Sequence, residues 1–118
     1  MRLAILLLLA STLCFAGSWS GFLVDSNCYA SEQSNVNKDS STVDRDMGME
    51  VRYCSPNADT KIFAVVLPDW DSLKLDSAGN AMAAELVRRT SKQRLFAVTV
   101  TGDLNHDTVK VDSLSANR

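Results

Sequence analysis

The sequence predicts a mainly β domain with one helix: five to six strands closed into a small barrel, the helix lying between the third and fourth principal strands. Three observations carry this. Short runs such as "RLFAVTVTG" (94–102) alternate apolar and polar residues at the two-residue period of a strand. The period changes once, in "NAMAAELVRRT" (80–90), where apolar residues recur at helical spacing. Turn-rich clusters, "SPNADT" (55–60) and "GDLNHD" (102–107), separate the runs.

The chain opens "MRLAILLLLASTLCFAGSWSG". Arg2 supplies a positive start, an apolar run follows to Phe15, and Ala16, Gly17 and Ser18 are small. That is the order of a secretory signal peptide over residues 1–18, with cleavage after Ala16 or Ser18. The run of about 13 residues falls short of the roughly 20 needed to span a bilayer, so no stable membrane insertion is expected once the signal is removed. Leu13 is large where lipidation of Cys14 would want a small residue, which argues against a lipid anchor. The expected location is secreted or periplasmic. The remaining chain of about 100 residues, 19–118, is one domain by size.

The elements follow in order. "WSGFLVDS" (19–26) is strand-like, Phe22 and Val24 on one face and Leu23 and Asp25 on the other. A long polar stretch, 28–54, reads as a loop rich in Ser, Asn and Asp, ending in a short alternating strand, "MEVRYC" (49–54). "KIFAVVLP" (61–68) is apolar on both faces, as in a central strand, and stops at Pro68. "SLKLD" (72–76) forms a hairpin with it. The helix over 80–90 presents Met82, Ala83, Leu86 and Val87 on one stripe, with Asn80 as its amino-terminal cap and Arg88 and Arg89 in its last turn. "RLFAVTVTG" and "TVKVDSLS" (108–115) close the chain as a hairpin. Leu114 falls on the polar face of the latter, which a β-bulge near Ser113 would correct.

Five principal strands with a helix after the third is the order of an OB-fold-like barrel. Closure suits a small domain, because an open sheet leaves two unpaired edges.

The three cysteines include Cys14, which leaves with the signal. Cys28 and Cys54 remain as an even pair in an oxidising compartment, and a disulfide between them would tether the 28–54 loop. Loop-closure entropy gives such a bond roughly 3 kcal/mol. The net charge of −2 and the absence of a basic tract exclude an electrostatic grip on nucleic acid.

"WSGFLVDSNCY", "RYCSPNADTKIFAVV", "LKLDSAGNAMAAELV" and "VTVTGDLNHDTVKVDSLS" together resemble a family of short exported bacterial proteins of unknown function, described as small β-barrels of OB type. The stretches around Asp25–Cys28 and Cys54–Lys61 are the more specific part. One departure stands out: the family tends to have Asp-Gly in the middle hairpin, where this chain has Asp69-Trp70. The resemblance implies a fold and carries no catalytic residues.

No nucleophile elbow, zinc-protease motif or phosphate loop is present in the sequence. Catalytic residues, metal ligands and cofactors are therefore not assigned. The acidic residues Asp39, Asp44, Asp46 and Glu50 fit no calcium-loop spacing. Trp19, Tyr29, Tyr53 and Trp70 are aromatics outside the clear core positions, and are the candidate ligand-binding residues. The expected function is an exported non-catalytic binding or interaction module, its partner a small ligand or an envelope protein. The alternative is a small secreted hydrolase or metal-assisted enzyme that uses His106 with Asp103 or Asp107.

Overall fold

The computed structural model describes residues 16–37, 39–90 and 95–117. The first fifteen residues, Cys14 among them, lie outside it, and so does most of the expected signal segment. The elements are β1 (Ala16–Asp25), α1 (Ser26–Gln33), α2 (Val43–Tyr53), β2 (Phe63–Val66), β3 (Ser72–Leu75), α3 (Ser77–Arg89), β4 (Ala97–Asn105) and β5 (Thr108–Ala116). The strands close into a barrel in the order β1-β2-β3-β5-β4, with β3 and β5 parallel and the other pairs antiparallel. Closure pairs the backbone of all five strands and leaves no long free edge.

Two cores share the barrel wall. Leu23, Phe63, Val65, Leu73, Val98, Val100, Val109 and Val111 fill the interior together with Ala83, Leu86 and Phe96. Val24, Ala64 and Val66 point outward from β1 and β2, where Tyr29, Met47, Val51 and Cys54 cover them. Successive strand residues alternate between faces. β2 is buried at all four positions because one face meets the barrel interior and the other meets α1 and α2. That is the physical content of the doubly apolar run "KIFAVVLP".

Most of the 28–54 stretch is therefore helical rather than loop, and the described residues form three helices rather than one. Residues 49–54 are not a sixth strand either; 49–53 are the last turns of α2. The alternation of Met49, Val51 and Tyr53 holds for only six residues. Val43, Met47 and Val51 recur every four residues and form the buried stripe of α2 instead. Helices of eight and eleven residues are marginal alone, so burial and the Cys28–Cys54 disulfide hold this pair in place. Each fully buried Met or Val contributes roughly 1.5–3 kcal/mol.

The two stretches singled out in the sequence meet here. The side chain of Asp25 caps α1, accepting from the Cys28 amide at 3.1 Å. Its second oxygen accepts from Thr60 Oγ1 at 3.2 Å, and its own amide donates to the Cys54 carbonyl at 2.8 Å. Cys28 and Cys54 are bonded, their Cα atoms 5.5 Å apart.

The third helix starts earlier than the sequence indicates. Asp76, not Asn80, is its cap, accepting from the Gly79 amide at 2.9 Å. Asn80 instead accepts from the Phe63 amide at 2.9 Å, tying the helix to the start of β2. A Cβ on Gly79 would lie 2.4 Å from Val111 Cγ2, so the first turn of α3 packs directly on the barrel. Between β4 and β5 the pairing jumps from Thr101↔Ser113 to Gly102↔Val111, leaving Asp112 unpaired. This bulge returns Leu114 to the side of Val109 and Val111, where it packs on the interior core.

Candidate functional site

The stripe of α2 that faces the barrel is 43, 47 and 51. The adjacent stripe, one residue on, is Asp44, Gly48 and Arg52. It forms one wall of a cleft of about 360 Å³ between α2 and the barrel, with Arg45 beside it. Phe22 of β1, Val51, Leu95 and Trp70 supply the apolar lining. The volume lies at the small end of ligand pockets, and apolar walls with a few converging polar groups are their usual make-up. Larger depressions lie at the β4–β5 tip, about 500 Å³, and between α1 and α2, about 400 Å³. Their linings contain no aromatic ring other than the exposed His106, and most of the lining side chains are polar.

Trp70 is held in the cleft at some cost. The β2–β3 connection turns through Leu67–Asp71, with Trp70 N–H donating to the Leu67 carbonyl at 2.9 Å and Leu67 N–H to the Asp71 carbonyl at 2.8 Å. Trp70 closes this turn at φ 72°, the left-handed region a glycine would fill without strain. Trp70 thus puts a bulky side chain where the backbone favours glycine. Two hydrogen bonds fix it. Indole Nε1–H donates to Asp44 Oδ1 at 2.8 Å. The Trp70 carbonyl accepts from Tyr29 Oη at 3.0 Å. The six-membered ring reaches α2 at Gly48, where an added Cβ would come within 3.9 Å of it.

The four aromatics named in the sequence analysis separate. Trp70 lines the cleft. The ring of Tyr29 is buried in the outer core, and burial, with Asp71 and Glu50 nearby, pushes its phenol up to about 12. It supports the cleft without facing it. Trp19 packs on the interior core and over Gly17, away from the cleft lining. Tyr53 is 73 % exposed on α2 and is also outside the cleft lining.

Charge in the cleft is unevenly engaged. Arg45 lies 3.5 Å from Asp46, and Asp44 is occupied by the indole. Arg52, exposed at the last turn of α2, has no carboxylate within salt-bridge distance among the described residues. In the seam between α1 and α2, Glu50 Oε2 is closed off from solvent without a hydrogen-bond partner among the described residues. Desolvation raises the Glu50 pKa, and Glu32 and Asp46 add to the rise.

His106 sits at the exposed β4–β5 tip with φ 61°. Asp107 accepts from Thr108 Oγ1 at 3.1 Å and lies 3.7 Å from Lys74, and Asp103 pairs in the ladder opposite Lys110. No hydrogen bond joins His106 to either carboxylate among the described residues. Asp39, Asp44, Asp46 and Glu50 do not converge: among the described residues no group of three or more ligating side chains could hold a metal ion. No described helix is long and apolar enough to cross a membrane.

Phe22, Gly48, Arg52 and Leu95 were not singled out by sequence reasoning. The signal for two of them was present: once 43, 47 and 51 are read as a helical stripe, 44, 48 and 52 follow as its neighbour. Compared with described protein families, curated proteins and solved structures, the chain matches none of them.

Proposed function

We propose that this chain is an exported, non-catalytic binding module built on an OB-type barrel, and that it takes a small ligand in the cleft between α2 and Trp70. The β1-β2-β3-β5-β4 order with a helix after the third strand supports the OB reading. The apolar amino-terminal run and the Cys28–Cys54 bond support export to an oxidising compartment. Barrels of this type bind ligands on the face of their second and third strands and on the adjoining loops. Here the connection between β1 and β2 has become a helix pair that covers the outer side of β1 and β2. Ligand binding is thereby displaced to the rim of that cover, where the cleft lies.

The observation that carries the reading is the conformation of Trp70. A non-glycine residue in the left-handed region costs about 1–2 kcal/mol. Such strain persists where the surrounding structure enforces it, and it gathers at binding and catalytic sites. Tyr29 and Asp44 enforce it here, and the result is an indole presented to an open apolar cleft.

Benzyl alcohol, a neutral aromatic probe, tests the reading in a titration followed by ¹H–¹⁵N NMR. The expected result is saturable shifts confined to the Trp70 indole N–H and the amides of Gly48, Val51 and Leu95. Gly48→Leu, which fills the cleft from a half-buried helix position and raises helix propensity, should abolish them. Shifts that are scattered over the surface, or unchanged in Gly48→Leu, overturn the proposal.

A further inference from the structure

Resting on the cleft as the binding site, we infer that its ligand is a small aromatic carboxylate, the ring lying against Trp70 and Phe22 and the carboxylate held by Arg52.

Arg52 is the one described arginine without a carboxylate partner. Arg45 lies 3.5 Å from Asp46, Arg89 lies 3.6 Å from Glu85, and Arg88 pairs with Glu85 as well. The acid that shares the cleft with Arg52 is Asp44, and it is committed elsewhere: its Oδ1 accepts the Trp70 indole proton at 2.8 Å. The two residues are eight positions apart on one helix, about 12 Å along the axis at 1.5 Å per residue. Asp44 therefore does not neutralise Arg52; it marks the opposite end of the same wall. The cleft has an acidic end, whose oxygen is engaged by the indole, and a cationic end that is open. Between them the surface is apolar: Phe22, Val51, Trp70 and Leu95.

This polarity selects a ligand with one anionic end and an apolar, planar body. A guanidinium matches a carboxylate through two parallel hydrogen bonds. A phosphate monoester, nearly a dianion, is a poorer match. With Arg45 balanced by Asp46 and Asp44 opposing Arg52, the lining has no second uncommitted cation to meet the extra charge. The body of the ligand stacks on the indole, whose own N–H is already satisfied, so that ring offers only its face and edge to a guest. The like charge of Asp44 at the far end fixes the orientation, carboxylate toward Arg52.

The test compares phenylacetate, phenylacetamide and acetate by ¹H–¹⁵N NMR titration of the intact, disulfide-bonded protein and of Arg52→Gln. Arg52 is exposed, so the variant should keep the wild-type spectrum outside its neighbourhood. Phenylacetate is expected to bind about tenfold more tightly than the amide or acetate, with shifts at the Trp70 indole N–H, and more weakly as salt is raised. Arg52→Gln should bring phenylacetate down to the level of the amide and leave the amide unchanged. Equal binding of phenylacetate and phenylacetamide to the wild type overturns the anion assignment and leaves the cleft reading standing. Saturable binding of neither aromatic compound overturns both. A preference for phenylacetate that survives Arg52→Gln moves the anion contact to another residue and defeats this inference.

Discussion

Tyr29 Oη donates a hydrogen bond to the Trp70 carbonyl at 3.0 Å, joining helix α1 to the β2–β3 turn across 41 residues of sequence. The phenol is buried and the turn it grips is strained, so the contact works as a clamp on the side chain that lines the cleft. Tyr29→Phe keeps the ring and removes the clamp. It should cost about 1 kcal/mol in urea unfolding, the usual net value of such a bond, and should move the Trp70 indole N–H resonance. The same variant has a pH signature. Burial raises the folded-state phenol to about 12, above its ordinary 10.0. The folded protein therefore holds this proton where the unfolded chain releases it, and stability falls as pH rises from about 10 toward 12. Tyr29→Phe should lack that contribution. An identical alkaline slope in both proteins refutes it.

Trp70→Gly and Trp70→Ala remove the same indole and the same bond to Asp44, and differ in the backbone they ask to adopt φ 72°. Both should be less stable than the wild type. The glycine variant should be the more stable of the two by about 1 kcal/mol, since alanine pays the left-handed penalty and glycine does not. Equal stability in chemical denaturation would mean that the turn relaxes and that Trp70 is not under strain.

The barrel could be read from the sequence because its strands announce themselves locally. Phe63 and Val65 alternate with Ala64 and Val66, and a run apolar on both faces has to be covered on both faces. What the reading lacked was the cover. α1, "SNCYASEQ", buries only Tyr29 and has no apolar stripe to reveal it. α2 carries a true stripe at Val43, Met47 and Val51, but its last residues also fit a two-residue period, and six residues cannot decide between the two. The cysteines pointed the right way for a different reason: they staple two helices, not a loop. The cleft was half visible. Trp70 stood out as an aromatic outside the core, whereas Arg52 comes to line the cleft only when α2 is a helix.

Removal of that staple should be costly. Cys28 and Cys54 are 26 residues apart, and closing a loop of this length contributes roughly 3 kcal/mol through the unfolded chain. The Cys28→Ser/Cys54→Ser double variant should lose about that much in guanidinium unfolding. Addition of reductant should lower the midpoint of the wild type and leave the variant unaffected. If the chain is exported as proposed, mass spectrometry of the mature protein should show a start near Gly17 or Trp19 and a mass two hydrogen atoms below the reduced form. Two alkylatable thiols in that material would remove the disulfide from the account.

Glu50 offers a test in the opposite pH direction. One of its oxygens is closed off in the seam between α1 and α2 with no partner among the described residues, and the seam also holds Glu32 and Asp46. Two carboxylates can share a hydrogen bond only when one of them is protonated. Burial first, then Glu32 and Asp46, raises the folded-state pKa of Glu50 above its ordinary 4.5. The folded protein then binds a proton that the unfolded chain has lost, so this group's contribution to stability falls as pH rises from about 4.5 through the raised value. Glu50→Gln keeps the shape and can supply the missing donor at any pH. It should be the more stable protein at neutral pH, by less than about 1 kcal/mol because charges so near the surface are screened. The advantage should disappear below pH 4. Urea midpoints across the range from pH 4 to pH 8 decide it: parallel curves for wild type and variant would place Glu50 outside the charge conflict of the seam.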